Sequence, residues 1–167
     1  MIGLILDLDI NTYNNKEYRD KVIDTILDTY NYGNRKGVSV VGYWYQIFSQ
    51  IAGNQLLALV SGYKTCPVTG CKLSIEPDGR VFVCKGPVRQ VGHISDFERC
   101  FTSPDYKDYL RSLYKTEGNC RNCELEGFCS GVCMGSLEKK YNSIYKIENS
   151  TCLLYKELVA NLLKNIH

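Results

Sequence analysis

Four thiols fall within fourteen residues, at Cys120, Cys123, Cys129 and Cys133, in the spacing Cys-x2-Cys-x5-Cys-x3-Cys. Thiolates packed this densely repel one another unless a cation or a cluster neutralises them, so such a run reads as a metal site or a disulfide knot. A Cys-x2-Cys pair presents two sulfurs to one metal centre from a tight turn. The third thiol, five residues on, can return to that centre. Cys133 follows so closely that it can point elsewhere, as the last cysteine of the bacterial two-cluster ferredoxin run does. The total of nine cysteines is odd, so pairing within one chain cannot be complete. The apolar start, Met1 to Leu6, stops at Asp7 and has no basic region or cleavage site. That start reads as something other than a signal peptide. The expected compartment is a reducing cytoplasm, with the thiols used for metal or redox chemistry.

Several elements must position these sulfurs. Asp78-Gly79 between two alternating runs is a strong hairpin signal. It predicts that the region of Cys71 comes near Cys84, so that two or three thiols converge without the hub. Ser103-Pro104 supplies an N-cap and a first-turn proline for a helix carrying Tyr106, Tyr109, Leu110 and Leu113. Ser150 or Thr151 can cap a last helix with apolar positions Leu154, Leu158, Val159, Leu162, Leu163 and Ile166. Cys152 then sits in its first turn, where backbone N–H groups and the dipole favour the thiolate.

Ahead of the cysteines, residues 2–8 read as a buried strand. An amphipathic helix follows from about Lys16, with Val22, Ile23, Ile26, Leu27 and Tyr30 on one face, and Val38–Val41 reads as a second strand. One such βαβ unit cannot cover both faces of a parallel sheet, so the segment looks like the tail of a larger α/β domain. Trp44 and Phe48 sit four apart on an aromatic-rich helix and read first as core, second as a substrate wall. Every cysteine and every proline lies beyond Gly62-Tyr63-Lys64. The expected class is α+β, divided into 1–62 and a cysteine-rich 63–167.

The formal net charge is +2 with no basic stripe, which argues against nucleic acid. No apolar run is long enough to span a bilayer. Gly-rich phosphate loops, a Ser-His-Asp order and His-Glu-x-x-His are absent. Cys100 reads as an idle buried thiol and His93 as a turn histidine. The charges at Glu124, Glu126, Glu138, Lys139 and Lys140 read as a solvated face. Lys85 and Arg89 read as exposed basic residues, with cluster charge or a peptide carboxylate as a sharper role.

Taken together the pattern is Cys66-x12-Gly79-x4-Cys84, a gap, the four-cysteine run, a gap, then Cys152. It resembles the SPASM domain, the auxiliary-cluster module that ends radical S-adenosylmethionine enzymes acting on peptides and proteins. The resemblance covers about residues 63–167, and the segment before it resembles the last part of a partial (β/α)6 barrel. It implies two [4Fe–4S] clusters, the first held by Cys66, Cys71, Cys84 and Cys133, the second by Cys120, Cys123, Cys129 and Cys152. It implies a peptide or protein substrate, with roles in electron relay and substrate positioning. Two departures stand out. Gly131-Val132 replaces the family's frequent Gly-Gly before Cys133, and Lys85 stands where sulfatase-maturing relatives carry an aspartate. The radical-generating Cys-x3-Cys-x2-Cys is absent, the nearest candidate failing at Ser136. The chain is therefore expected to be a fragment, a split subunit or a remnant that is not catalytic alone. S-adenosylmethionine would enter only through a missing N-terminal half or a partner chain. A zinc structural module and a stand-alone iron–sulfur electron carrier are the alternatives.

Overall fold

The computed structural model describes residues 1–3, 12–53, 73–86, 89–112, 120, 122–129 and 131–165. Their order is β1 (Ile2–Gly3), α1 (Lys16–Arg35), β2 (Val40–Val41), α2 (Tyr43–Ile51), β3 (Ser74–Ile75), β4 (Arg80–Phe82), β5 (Gly92–His93), α3 (Phe97–Cys100), α4 (Pro104–Ser112), α5 (Met134–Tyr141) and α6 (Asn149–Lys164). The fold is mixed α and β, with helices and small sheets. Two compact units make it up: Met1–Leu57 with Glu148–His167, and Ala58–Ile147.

In the first unit β1 and β2 pair in parallel, Ile2 opposite Val40 and Gly3 opposite Val41, with α1 between them in sequence. This is the strand–helix–strand order expected, but Ile2 and Gly3 are exposed and not buried as the apolar run suggested, and positions 4–8 lie outside the described residues. α1 begins where the Asn15 side chain accepts the Tyr18 N–H at 3.1 Å, an N-cap that satisfies one of the helix's orphan donors. Its Ile23 and Ile26 are buried. Tyr30 meets Trp44 edge-on at 5.9 Å and Phe48 at 6.1 Å. Trp44 is fully buried, so the aromatic stripe of α2 is core.

α6 buries Leu154, Leu158, Val159 and Leu162 against this unit. Arg19 is buried too. It donates to Glu157 from Nε at 2.7 Å and from Nη2 at 2.9 Å, and from Nη1 to the Tyr13 carbonyl at 2.7 Å. The helix starts earlier than its hydroxyl residues suggested. Glu148 is the cap residue, and the Cys152 N–H already bonds the Glu148 carbonyl at 3.0 Å. Ser150 and Thr151 therefore lie inside the first turn, not at the cap.

In the second unit β3, β4 and β5 form an antiparallel sheet, with Ile75 opposite Val81 and Arg80 opposite His93. The turn falls at Asp78-Gly79 as the sequence predicts. Gly79 has φ +88°, and a Cβ there would come within 2.4 Å of His93 Nε2, so the position excludes side chains twice over. Val81, Val83, Val91, Cys100, Tyr106, Tyr109, Met134 and Ile144 make the core. Cys100 packs there with its thiol facing the His93 and Asp96 carbonyls at 3.8 Å. Ser103 Oγ accepts the Tyr106 N–H at 3.2 Å, capping α4 as expected. Among the described residues no helix is long and apolar enough to cross a membrane.

Candidate metal centre

Cys84 follows the fully buried Val83 just past the end of β4, and Cys133 is the residue that caps α5. The two meet at Gly86. A Cβ on Gly86 would lie 3.6 Å from Cys84 Sγ and 3.7 Å from Cys133 Sγ. Glycine thus leaves open the space that both sulfurs border. The Gly86 N–H donates to Cys84 Sγ at 3.3 Å. Behind it, α5 comes so close that a Cβ on Gly135 would sit 2.2 Å from the Gly86 carbonyl carbon. Sulfurs separated by 49 positions in sequence are therefore neighbours at one place.

The hub is built from successive turns. The Cys123 N–H donates to the Cys120 carbonyl at 3.2 Å, and Asn122 between them takes a left-handed φ of 62°. Asparagine adopts that conformation more readily than most residues. Leu125 is buried, and its carbonyl accepts the Cys129 N–H at 2.8 Å. The Gly131 N–H donates to Cys129 Sγ at 3.1 Å. Cys120, Cys123 and Cys129 are all half-buried.

Of the first-cluster set, then, the structure brings Cys84 and Cys133 together, while Cys66 and Cys71 lie outside the described residues. Cys120, Cys123 and Cys129 share one loop, and Cys152 lies in the first turn of α6, in the other compact unit. Among the described residues no three His, Cys, Asp or Glu side chains converge to hold a metal ion. What the structure does offer fits a sulfur-ligated cluster: two thiols bordering one open space, and backbone N–H groups aimed at ligand sulfur.

Beside Cys84 the loop is fixed by charge. Arg89 donates from Nε to Glu138 at 2.6 Å, and from Nη1 to Asp108 at 2.9 Å and Asp105 at 3.1 Å. Its guanidinium lies 4.6 Å from the Tyr109 ring centre, and the Tyr109 hydroxyl donates to Glu138 at 2.6 Å. Burial opposes the Arg89 charge, but hydrogen bonds to Glu138 and Asp108 outweigh it and hold the pKa above its usual value. Burial likewise opposes ionisation of Asp108, yet hydrogen bonds from Tyr145 and Arg89 keep its carboxyl below the ordinary range. This corrects two readings. Arg89 is committed to three carboxylates, and Glu138 is 6% exposed, not part of a solvated face.

Sequence reasoning also passed over the glycines beside the sulfurs. Cys84-x-Gly86, Cys129-x-Gly131 and Cys133-x-Gly135 are three copies of one triplet. In two of them the glycine N–H bonds the preceding sulfur. The repeated triplet was the available signal.

Residues 66–124 match the family model of SPASM, the iron–sulfur cluster-binding domain. Over 164 residues the chain is 40% identical to the radical SAM cyclopropyl synthase TigE of Paramaledivibacter caminithermalis, covering 98% of this chain and 34% of that protein. It is 26% identical over 107 residues to a cysteine-type anaerobic sulfatase-maturating enzyme of Clostridium perfringens, covering 59% of this chain and 29% of that one. The solved structure of native anSMEcpe with bound AdoMet is similar in fold, with a TM-score of 0.58 at 20% identity, over 90% of this chain and 44% of that chain. The chain spans about a third of the length of the curated relatives it matches.

Proposed function

From the premise that this chain carries the SPASM iron–sulfur domain of radical S-adenosylmethionine enzymes, we propose that it is the auxiliary-cluster region of a peptide or protein maturase. It holds two [4Fe–4S] clusters, one on Cys66, Cys71, Cys84 and Cys133, the other on Cys120, Cys123, Cys129 and Cys152. Residues 1–62 form the end of the partial barrel, and 63–167 the auxiliary domain. The observation that carries this reading is the meeting of Cys84 and Cys133 at Gly86. It supports handing Cys133 away from the three thiols that precede it.

Bound there, such clusters would supply one-electron acceptance or relay while a peptide is modified. The chain's own part is to hold the sulfurs and tune them. N–H donation from Gly86 to Cys84 and from Gly131 to Cys129 withdraws electron density from each sulfur and favours the reduced state. The core beneath β4 excludes water from one side of Cys84. Cys-x3-Cys-x2-Cys is absent from these 167 residues, so S-adenosylmethionine cleavage would depend on residues outside them, in the same polypeptide or a partner. Lys85 in place of an aspartate, and the higher identity to a cyclopropyl synthase, favour that relative's kind of chemistry over sulfatase maturation.

Anaerobic reconstitution followed by iron, sulfide and zinc analysis tests the proposal. Two clusters require about eight irons and about eight sulfides per chain. A colourless protein with one or two zincs and no sulfide would make it a structural module instead.

A further inference from the structure

Gly86 and Gly135 each stand two residues after a cysteine of the same pair, Cys84 and Cys133. Their backbones touch. A Cβ on Gly135 would lie 2.2 Å from the Gly86 carbonyl carbon and 2.6 Å from both its Cα and its oxygen. Real Cβ atoms do not approach backbone that closely, so any side chain at 135 must push the loop after β4 away from α5. A Cβ on Gly86 meets a different situation: 3.4 Å from Gly135 Cα and 3.6 and 3.7 Å from the two sulfurs, which are contacts that fit.

We infer that the Gly86–Gly135 backbone contact is the positioning element of the first cluster, setting the separation of Cys84 and Cys133 so that both reach one set of irons. The inference rests on the cluster reading above and concerns residues that are not ligands. Cys84 lies in the loop two residues past β4 and Cys133 at a helix N-terminus, and neither element alone fixes the distance between them. The Arg89–Glu138 ion pair, at 2.6 Å, ties the same loop to the same helix further along. That pair leaves the glycine contact as the point nearest the sulfurs. The Gly86 N–H, donating to Cys84 Sγ, adds an electronic role to the geometric one.

The test compares the unaltered chain with Gly135→Ala, Gly86→Ala and the control Gly127→Ala, whose added Cβ meets nothing within 4 Å. Each is reconstituted anaerobically, then read by iron count, electron paramagnetic resonance, redox titration and circular dichroism. Gly135→Ala is expected to fall from about eight irons to about four, losing one reduced-cluster signal and keeping the other with its helical dichroism. Gly86→Ala tests the space and not the contact: its methyl group enters the gap that both sulfurs border, so it too should lose about four irons while keeping the other cluster's signal. Gly127→Ala should match the unaltered chain.

A Gly135→Ala protein with full iron and an unchanged spectrum would overturn the inference. So would one that loses both clusters together with its helical signal, because the contact would then be merely structural. If the unaltered chain takes up zinc and no iron, the functional reading fails and carries this inference with it. Full iron in both the unaltered chain and Gly135→Ala removes the inference alone.

Discussion

Tyr109 is fully buried, and its hydroxyl donates to Glu138 while Arg89 stacks on its ring. Tyr109→Phe keeps the ring and strips one hydrogen bond from a buried carboxylate, a change that should cost about 1–3 kcal/mol in chemical denaturation. Burial first, and then the bond to Glu138, hold the Tyr109 pKa above that of a free phenol. Between its unfolded and folded pKa values the native state keeps a proton that the unfolded chain releases. Stability should therefore fall as pH rises above about 10, and Tyr109→Phe should flatten that alkaline decline. That Cys120, Cys123 and Cys129 share one loop was legible because spacing along a chain limits which sulfurs can share a turn. Glu138 was not legible. Its neighbours Lys139 and Lys140 are exposed, and a run of charge in sequence does not say which helix position turns toward Tyr109.

At the level of elements, the β3–β4 hairpin and the Ser103 cap were readable because their signals are local: a positive-φ glycine and a hydroxyl three residues before its N–H. The start of α6 was not. Ser150 and Thr151 are good cap residues in isolation, but the backbone ladder reaches back to Glu148 and draws both into the helix. Nor does periodicity show what α6 buries beyond its leucines. Arg19 is 6% exposed, and its two bonds to Glu157 answer a charge that would otherwise stand unpaired in the first unit. Glu157→Ala should therefore cost about 2–4 kcal/mol by urea unfolding, because it leaves the buried Arg19 charge without its carboxylate, with the loss tempered by the partial wetting of Glu157 itself. Replacing Lys16, whose pair with Asp20 is exposed, should leave the unfolding midpoint unchanged.

Across the whole molecule, the two compact units divide the thiols: Cys152 belongs to one, while Cys84, Cys120, Cys123, Cys129 and Cys133 belong to the other. The family resemblance draws on intervals that span both, which is why it could be recognised without any geometry. The glycine contact at Gly86 and Gly135 could not, because it joins the loop after β4 to a helix start 49 residues away. On this account the purified chain does not cleave S-adenosylmethionine under reducing conditions. Cleavage assayed chromatographically should appear only when the three-cysteine half is supplied. Turnover by the chain alone would mean that its cysteines make a site of a different kind.

The claim on which the rest depends is that Cys84 and Cys133 serve the same cluster. Iron analysis of Cys84→Ala, Cys133→Ala and the double variant after anaerobic reconstitution tests it directly. If both thiols bind one cluster, each single variant loses about four irons and the double variant loses no more. If the losses add, so that the double variant approaches zero while each single retains half, the two sulfurs belong to separate clusters and the assignment is wrong.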